Sequence, residues 1–295
     1  MLVFLNGKFA PEGRAVVSVF DRGFLYGDGL FETVRVFNGK PFRWSQHIER
    51  LQRGAEFLKI KLPFSTHVLR GFADELVQKQ QIRDCLLRLT LSRGVGVRGY
   101  SPKGAEQPTF VMSLHPAPHP AFSHPHPSDG RGAGGEGVFP KWKLITSSFR
   151  LPANDPLAQF KTSNKLPQIL ARTEADAAGA DEALLLNTDG FVIEGASSNL
   201  FWIERDTICT PPLTSGVLPG VTRAVILEIC KSLSVATRQA NISPDELHRA
   251  DGIFLSLSSW GVVEAVLLDG RVLKPSAVVN KICGAYQELV HAETM

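Results

Sequence analysis

Four short stretches of this chain carry side chains that could share one chemistry. Lys161 lies in QFKTSNKLPQ, Glu194 in GFVIEGASSNLFW, Arg50 in HIERL, and a glycine-rich turn, TSGVLPGVTR, leads directly into an apolar helix. A lysine amine can condense with a carbonyl and then carry protons. A carboxylate beside a ring nitrogen favours the protonated ring. The start of the helix offers free backbone N–H groups and the positive end of the helix dipole, a cradle for an anion to which Val221 and Thr222 would add amides and a hydroxyl. An arginine among apolar helix residues, as Arg50 is, either snorkels at the surface or serves as a buried anion ligand. Each feature alone has an ordinary explanation as a solvated charge or a plain helix start. Together they are the parts that hold pyridoxal phosphate: a Schiff-base lysine, an acid for the pyridine nitrogen and a phosphate site.

The elements that must position these groups fall into two sets. MLVFLNGKFAPEG reads as strand, turn at Asn6-Gly7 and strand, and the alternation in AVVSVFD and ETVRVFNG predicts two more strands. SQHIERLQRGAEFLKI predicts a helix with Ser45 as N-cap and Ile48, Leu51, Ala55 and Leu58 on one face. HVLRGFADELVQKQQI predicts a second helix, followed by strands CLLRLTLSRG and PTFVMSLHP. The pattern is a small α+β domain over residues 1–114. Residues 115–138, beginning HPAPHPAFSHPHPSDG, form a Pro/His/Gly-rich interdomain loop with almost nothing to bury, read either as a lid beside an active site or as a plain linker between the domains. Proline follows each of its four histidines and no cysteine or acid completes a ligand set, so no metal site is expected. Residues 139–295 form a larger domain: a strand at KWKLITSSF, a helix at LPQILARTEADAAGA, several strands with a turn at Asp189-Gly190, helices at TRAVILEICKSL and SPDELHRA, further strands, and a closing helix.

Composition narrows the class. A chain of 295 residues with 43% hydrophobic and 21% charged content is that of a soluble globular protein. The formal charge of +3 is too small to argue for nucleic acid or an anionic membrane. The N-terminus lacks the pattern of a signal peptide, and no window approaches the roughly 20 apolar residues of a membrane span. Cys85, Cys209, Cys230 and Cys283 are scattered without a CxxC pair, which predicts reduced thiols in a cytoplasmic protein. Gly94, Gly96 and Gly99 satisfy GxGxxG, but Tyr100-Ser101-Pro102 follows where a dinucleotide site needs a helix.

The ordered strings FDRGFLYGDGLFETVRV, HIERL, K-x-x-N-K-L, DEALLLNTDGFVIEGASSNLFW and TPPLTSGVLPGVTR resemble the class IV aminotransferase family, the fold-type IV pyridoxal phosphate enzymes. The resemblance runs from about Phe4 to the last strands, apart from the His/Pro loop. It implies a two-domain α+β fold, with a smaller N-terminal α/β domain and a larger C-terminal domain whose mainly β core is flanked by helices. It also implies a homodimer with each site between the two domains near the subunit boundary. Lys161 would carry the cofactor and shuttle protons, and Glu194 would pair with the pyridinium nitrogen. Arg50, Leu218, Val221, Thr222 and Ser258 would complete the cofactor site, and Tyr26, Arg98 and Tyr100 would meet a small amino substrate.

The substrate end divides the family. Leu166 stands where branched-chain enzymes commonly have tyrosine, and Leu257-Ser258 where they tend to have Gly-Thr. LSRGVGVRGYSP and the run Asn164-Lys165-Leu166 with Gln168 resemble aminodeoxychorismate lyases instead. The resemblance thus implies 4-amino-4-deoxychorismate lyase, which releases pyruvate and forms 4-aminobenzoate for folate biosynthesis. The alternatives are a transaminase for D-amino acids or (R)-amines with a 2-oxo acid acceptor, and a non-catalytic relative that merely holds the cofactor.

Overall fold

Asn6 and Gly7, at φ 49° and 91°, make the tight turn that joins strand β1 (Leu2–Leu5) to β2 (Lys8–Pro11), the hairpin that an Asn-Gly pair between apolar runs favours. They open a computed structural model that describes residues 1–118 and 139–295. The chain divides into two units, Met1–Ala117 with Leu157–Lys165 and Ala292–Met295, and Pro118–Pro156 with Leu166–His291.

In the first unit six strands lie in the order β2-β1-β6-β5-β3-β4, where β3 is Gly29–Phe37, β4 Lys40–Pro41, β5 Cys85–Ser92 and β6 Thr109–Pro116. The register pairs Leu30 with Leu91, Glu32 with Leu89 and Val34 with Leu87. With a period of two, these residues share one face. Leu30, Val34, Leu87, Leu89 and Leu91 cluster there with Ile48 and Leu51 of helix α2 (Trp44–Leu58) and Leu69 and Leu76 of α3 (Thr66–Gln80). Glu32 is the one acid among these paired leucines and valine.

Three local expectations change. AVVSVFD is not a strand; only Asp21 makes an isolated bridge, to Val95, and Val16, Val17, Val19 and Phe20 are exposed. Alternation makes a strand only where an edge pairs with it, and this segment finds none. Its end caps a short helix instead, α1 (Arg22–Tyr26), in which the Asp21 carboxylate accepts the Gly23 N–H and Gly27 closes the helix at φ 67°. The N-cap of α2 is Arg43, at φ 54° with no side-chain cap, and Ser45 lies inside the first turn. His115 and Pro116 belong to β6 rather than to the loop, and residues 119–138, with the lid reading attached to them, lie outside the described residues.

The segment Leu157–Lys165, read in sequence with the larger domain, belongs to the first unit. It runs along β3: Leu30 bridges Thr162, the Phe31 N–H donates to the Lys161 carbonyl at 2.9 Å, and the Ser163 N–H donates to the Gly29 carbonyl at 2.9 Å. Phe160 anchors it against Phe57, with ring centroids 4.6 Å apart.

In the second unit nine strands form one sheet: β7 (Lys141–Leu151), β8 (Glu182–Asn187), β9 (Val192–Gly195), β10 (Asn199–Glu204), β11 (Thr207–Thr210), β12 (Thr237–Gln239), β13 (Gly252–Leu257), β14 (Gly261–Leu268) and β15 (Arg271–Val272). The order β10-β13-β14-β7-β8-β9 closes on itself, because Asn199 of β10 pairs with Glu194 of β9. Closure leaves those six strands without a free edge. Helix α4 (Leu166–Ala177) contacts β7 and β8, and α5 (Val221–Ser232) contacts β13; α6 (Pro244–Leu247), with its Ser243–Glu246 capping box, and α7 (Ala277–Thr294) complete the mixed α+β fold. All four cysteines are buried free thiols. Among the described residues no helix is long and apolar enough to cross a membrane, and no cluster of His, Cys, Asp or Glu could hold a metal.

Gly94 fixes the entry to the glycine-rich loop after β5. It sits at φ 85°, and a Cβ there would stand 1.8 Å from the Gln107 carbonyl oxygen, against rigid backbone. Gly94→Ala is expected to destabilise the chain by about 2–4 kcal/mol. A urea unfolding curve with an unchanged midpoint would contradict this.

Candidate active site

Sheet parity carries Glu32 into the core, where it is fully buried. A lone buried carboxylate would be costly, and three charge-assisted bonds answer it. Arg50 donates from Nε to Oε1 and from Nη2 to Oε2, both at 2.7 Å, and His47 Nδ1 lies 2.7 Å from Oε2. Helix periodicity puts His47 and Arg50 on one face of α2, three residues apart. Burial alone would raise the Glu32 pKa, but the Arg50 charge and the hydrogen bonds from Arg50 and His47 outweigh it and bring it down to about 2. Burial lowers the His47 pKa; Glu32 pulls against it, while the charges of Arg50 and Lys161 add to it. His47 is therefore a neutral imidazole near pH 7, placed to give its Nδ1 proton to Glu32.

Lys161 hangs from β3 through its backbone and sets its ammonium 4.7 Å from the centroid of the Phe31 ring. The Arg88 guanidinium, from the neighbouring strand β5, lies 4.0 Å from the same centroid. The two cations are thus no farther apart than those distances added. Arg88 is partly buried and, among the described residues, its guanidinium has no hydrogen bond or ion pair; burial lowers its pKa.

A third group surrounds Tyr26. The buried Arg22 donates to Asp28 at 2.8 Å and to the carbonyls of Gly99 (2.8 Å), Tyr100 (3.1 Å) and Ser101 (3.1 Å), so one guanidinium grips three consecutive peptide units. The Tyr26 hydroxyl accepts the Gly99 N–H at 3.1 Å, and its ring meets Tyr100 edge-on at 5.6 Å. Arg98 and Tyr100 are left exposed, Tyr100 at 88%. No helix follows Gly99, which removes the dinucleotide reading. A cavity of about 320 Å³ lies beside this loop, lined among others by Arg22, Tyr26, Asp28, Tyr100, Thr162 and Asn164.

The second unit carries the remaining residues. Glu194 stands on β9 at the seam where the sheet closes, and its Oε2 accepts the Leu218 N–H at 3.0 Å. Asn199, its partner across the seam, donates to the Leu218 carbonyl at 2.9 Å. Both bonds tie the turn before α5 to the seam, two residues ahead of Gly220. A Cβ on Gly220 would meet Asn199 Oδ1 at 1.9 Å, so glycine is required for this close approach. Gly220 caps α5 without a side-chain hydrogen bond, and Val221 and Thr222 open the helix, both buried. Ser258 follows the end of β13. Behind the seam, buried Glu182 accepts from Ser197 N (3.1 Å), Ser197 Oγ (2.5 Å) and Ser198 Oγ (3.2 Å), fixing the turn from β9 to β10.

The structure therefore groups Arg50 with Lys161 in one unit, Tyr26 with Tyr100 in the same unit, and Glu194 with Leu218, Val221 and Thr222 in the other. Sequence reasoning missed Glu32, His47, Arg22 and Arg88. Glu32 had a legible signal: in LFETVRV it shares the parity of Leu30, Val34 and Val36, which all join the apolar core. His47 likewise sits on the inward face of its helix, three residues before Arg50.

The sequence pattern of the family described as Amino-transferase class IV matches residues 29–267. A putative branched-chain-amino-acid aminotransferase of Methanocaldococcus jannaschii is 34% identical over 279 residues, 94% of this chain and 91% of that protein. The aminodeoxychorismate lyase of Bacillus subtilis is 33% identical over 267 residues, 89% of this chain and 85% of that protein. Among solved structures, the T.th. branched-chain amino acid aminotransferase with pyridoxamine 5'-phosphate matches with a TM-score of 0.87 and 29% identity, covering 99% of this chain and 94% of that one. The residues here suit such a cofactor: a lysine amine over an aromatic ring, a buried arginine, a carboxylate tied to a helix start, and a cap glycine that leaves that start without a side-chain cap.

The low pKa of Glu32 makes a stability prediction. A folded value near 2, against an ordinary 4.5, means that the ion contributes stability above pH 4.5 and that this contribution is lost as pH falls toward 2. Over that window the cofactor-free chain should lose about 3 kcal/mol that Glu32→Gln does not lose. Parallel pH profiles of unfolding free energy for the two proteins would contradict it.

Proposed function

This chain belongs to the class IV aminotransferase family, and on that premise we propose that it is a 4-amino-4-deoxychorismate lyase, releasing pyruvate and forming 4-aminobenzoate. It is an enzyme that works with pyridoxal 5'-phosphate. The observation that carries the choice of lyase is the loop from Arg93 to Ser101. Its wording resembles the lyases, and buried Arg22 commits Nη1 and Nη2 to the loop's carbonyls while Arg98 and Tyr100 stay exposed. A guanidinium and a phenol on a fixed loop are suited to binding a carboxylate and an apolar ring. Leu166 and Leu257-Ser258 weigh against the branched-chain enzymes, and the run Asn164-Lys165-Leu166 with Gln168 resembles the lyases.

When bound, the cofactor supplies an electron sink for the pair left behind as a proton leaves carbon. In the proposed mechanism, Lys161 Nζ takes the proton from the carbon that bears the substrate's amino group. It then returns a proton to the departing enolpyruvyl group, which leaves as pyruvate while the ring becomes aromatic. Glu194, its carboxylate oriented by the Leu218 amide, would hold the proton of the pyridine nitrogen. Arg50, Val221, Thr222 and Ser258 would bind the phosphate. Arg88, sharing Phe31 with Lys161, would face an amine that carries a carboxylate better than one that does not.

A transaminase for D-amino acids or (R)-amines with a 2-oxo acid acceptor is the second reading, supported by the likeness to a D-alanine aminotransferase of Bacillus licheniformis, 29% identical over 297 residues; it differs in where Lys161 returns the proton. A cytoplasmic homodimer completes the proposal. Val16, Val19, Phe20, Phe24 and Val97 of the first unit are exposed at 63% or more, the kind of surface a second copy would cover.

Incubation of the cofactor-loaded enzyme with aminodeoxychorismate should yield pyruvate and 4-aminobenzoate in equal amounts. D-alanine with 2-oxoglutarate should yield little D-glutamate. Transamination without 4-aminobenzoate would replace the first reading by the second. If Arg98 binds a substrate carboxylate, Arg98→Ala should lower kcat/KM by about 10- to 100-fold without changing cofactor content. Unchanged kinetics would make it a plain surface arginine.

A further inference from the structure

We propose that Glu32 is a positioning residue for the cofactor's phosphate: it fixes the plane of the Arg50 guanidinium and so makes the enzyme prefer phosphorylated over unphosphorylated cofactor. The inference rests on the reading of Arg50 as a phosphate ligand.

Stability alone does not account for Glu32. It points into an apolar core from the middle of β3, where an aliphatic residue paired with Leu89 would serve at least as well. Replacing a buried ion pair by apolar residues is often neutral or stabilising, so a carboxylate kept at such a position calls for another reason. The geometry supplies one. Both Glu32 oxygens engage Arg50, at Nε and at Nη2, each at 2.7 Å. This bidentate grip sets the plane of the guanidinium as well as its position, which a single bond would not do. Oε2 is held in turn by His47 Nδ1 at 2.7 Å, so a residue of the same helix face fixes the carboxylate itself. Arg50 is 4% exposed, and without the grip its long side chain would be drawn toward water. Lys161 acts electrostatically on His47, which puts the grip and the reactive amine in one cluster of the first unit.

Two effects oppose each other here, and they give the test its sign. The negative charge of Glu32 repels a phosphate dianion, so a carboxylate that merely balanced Arg50 would weaken phosphate binding, and its removal would tighten it. A carboxylate that aims Arg50 strengthens phosphate binding, and its removal would loosen it.

The full-length chain, stripped of cofactor, is titrated with pyridoxal 5'-phosphate and with pyridoxal, and the two dissociation constants are compared in wild type, Glu32→Gln, Glu32→Asp and Arg50→Gln. Glu32→Gln should reduce the preference for the phosphorylated form by about 10- to 100-fold. Glu32→Asp, which keeps the charge but withdraws the carboxylate by one methylene, should reduce it as well; this variant decides the matter if Glu32→Gln fails to fold. A preference that is unchanged or increased overturns the inference. Loss of preference in Arg50→Gln with none in the Glu32 variants overturns the inference alone. An unchanged preference in Arg50→Gln overturns the phosphate role of Arg50 and the inference with it.

Discussion

A carboxylate set inside an apolar strand governs the first unit. Glu32 can remain ionised in the core only because Arg50 and His47 answer it from one face of α2, and that requirement fixes the helix against β3 in rotation and register. The same strand carries Phe31 one residue earlier, with its backbone amide bound to the Lys161 carbonyl. The lysine's position is therefore set by β3, although 129 residues separate Lys161 from Glu32 in the chain. The buried charge and the lysine are both placed by one strand.

The second unit solves a different problem by a similar doubling of roles. A sheet that closes on itself needs a seam, and the seam is the pairing of Glu194 with Asn199. Both residues also bind Leu218, through its amide and its carbonyl, so closure of the sheet and attachment of the α5 entry are one event. Gly220 permits the approach and leaves the helix start uncapped by side chains, open to an anion. The acid and the start of α5 are thereby held at fixed spacing by two side-chain bonds to one residue, Leu218.

Much of this was legible in the sequence, and unevenly so. Helices α2, α3, α4 and α5 follow from apolar periodicity, and the turns at Asn6-Gly7 and Asp189-Gly190 from residue type. AVVSVFD misled because alternation records a pattern of side chains and not the presence of a pairing edge. Leu157–Lys165 was read with the wrong neighbours because its partners, Gly29 to Phe31, are distant in sequence and their contacts run through the backbone, which leaves no residue signature. Glu32 was readable in principle, as a charge at the parity of Leu30, Val34 and Val36. Arg22 was not, since its ligands are three carbonyls that any residues would supply.

The central claim is that Lys161 is the residue to which the cofactor is attached, and borohydride reduction of the loaded enzyme followed by peptide mapping tests it most directly. The account predicts one pyridoxyl group per chain, on the peptide containing Lys161. A reduced adduct on another lysine, or none after saturation with pyridoxal 5'-phosphate, would contradict it.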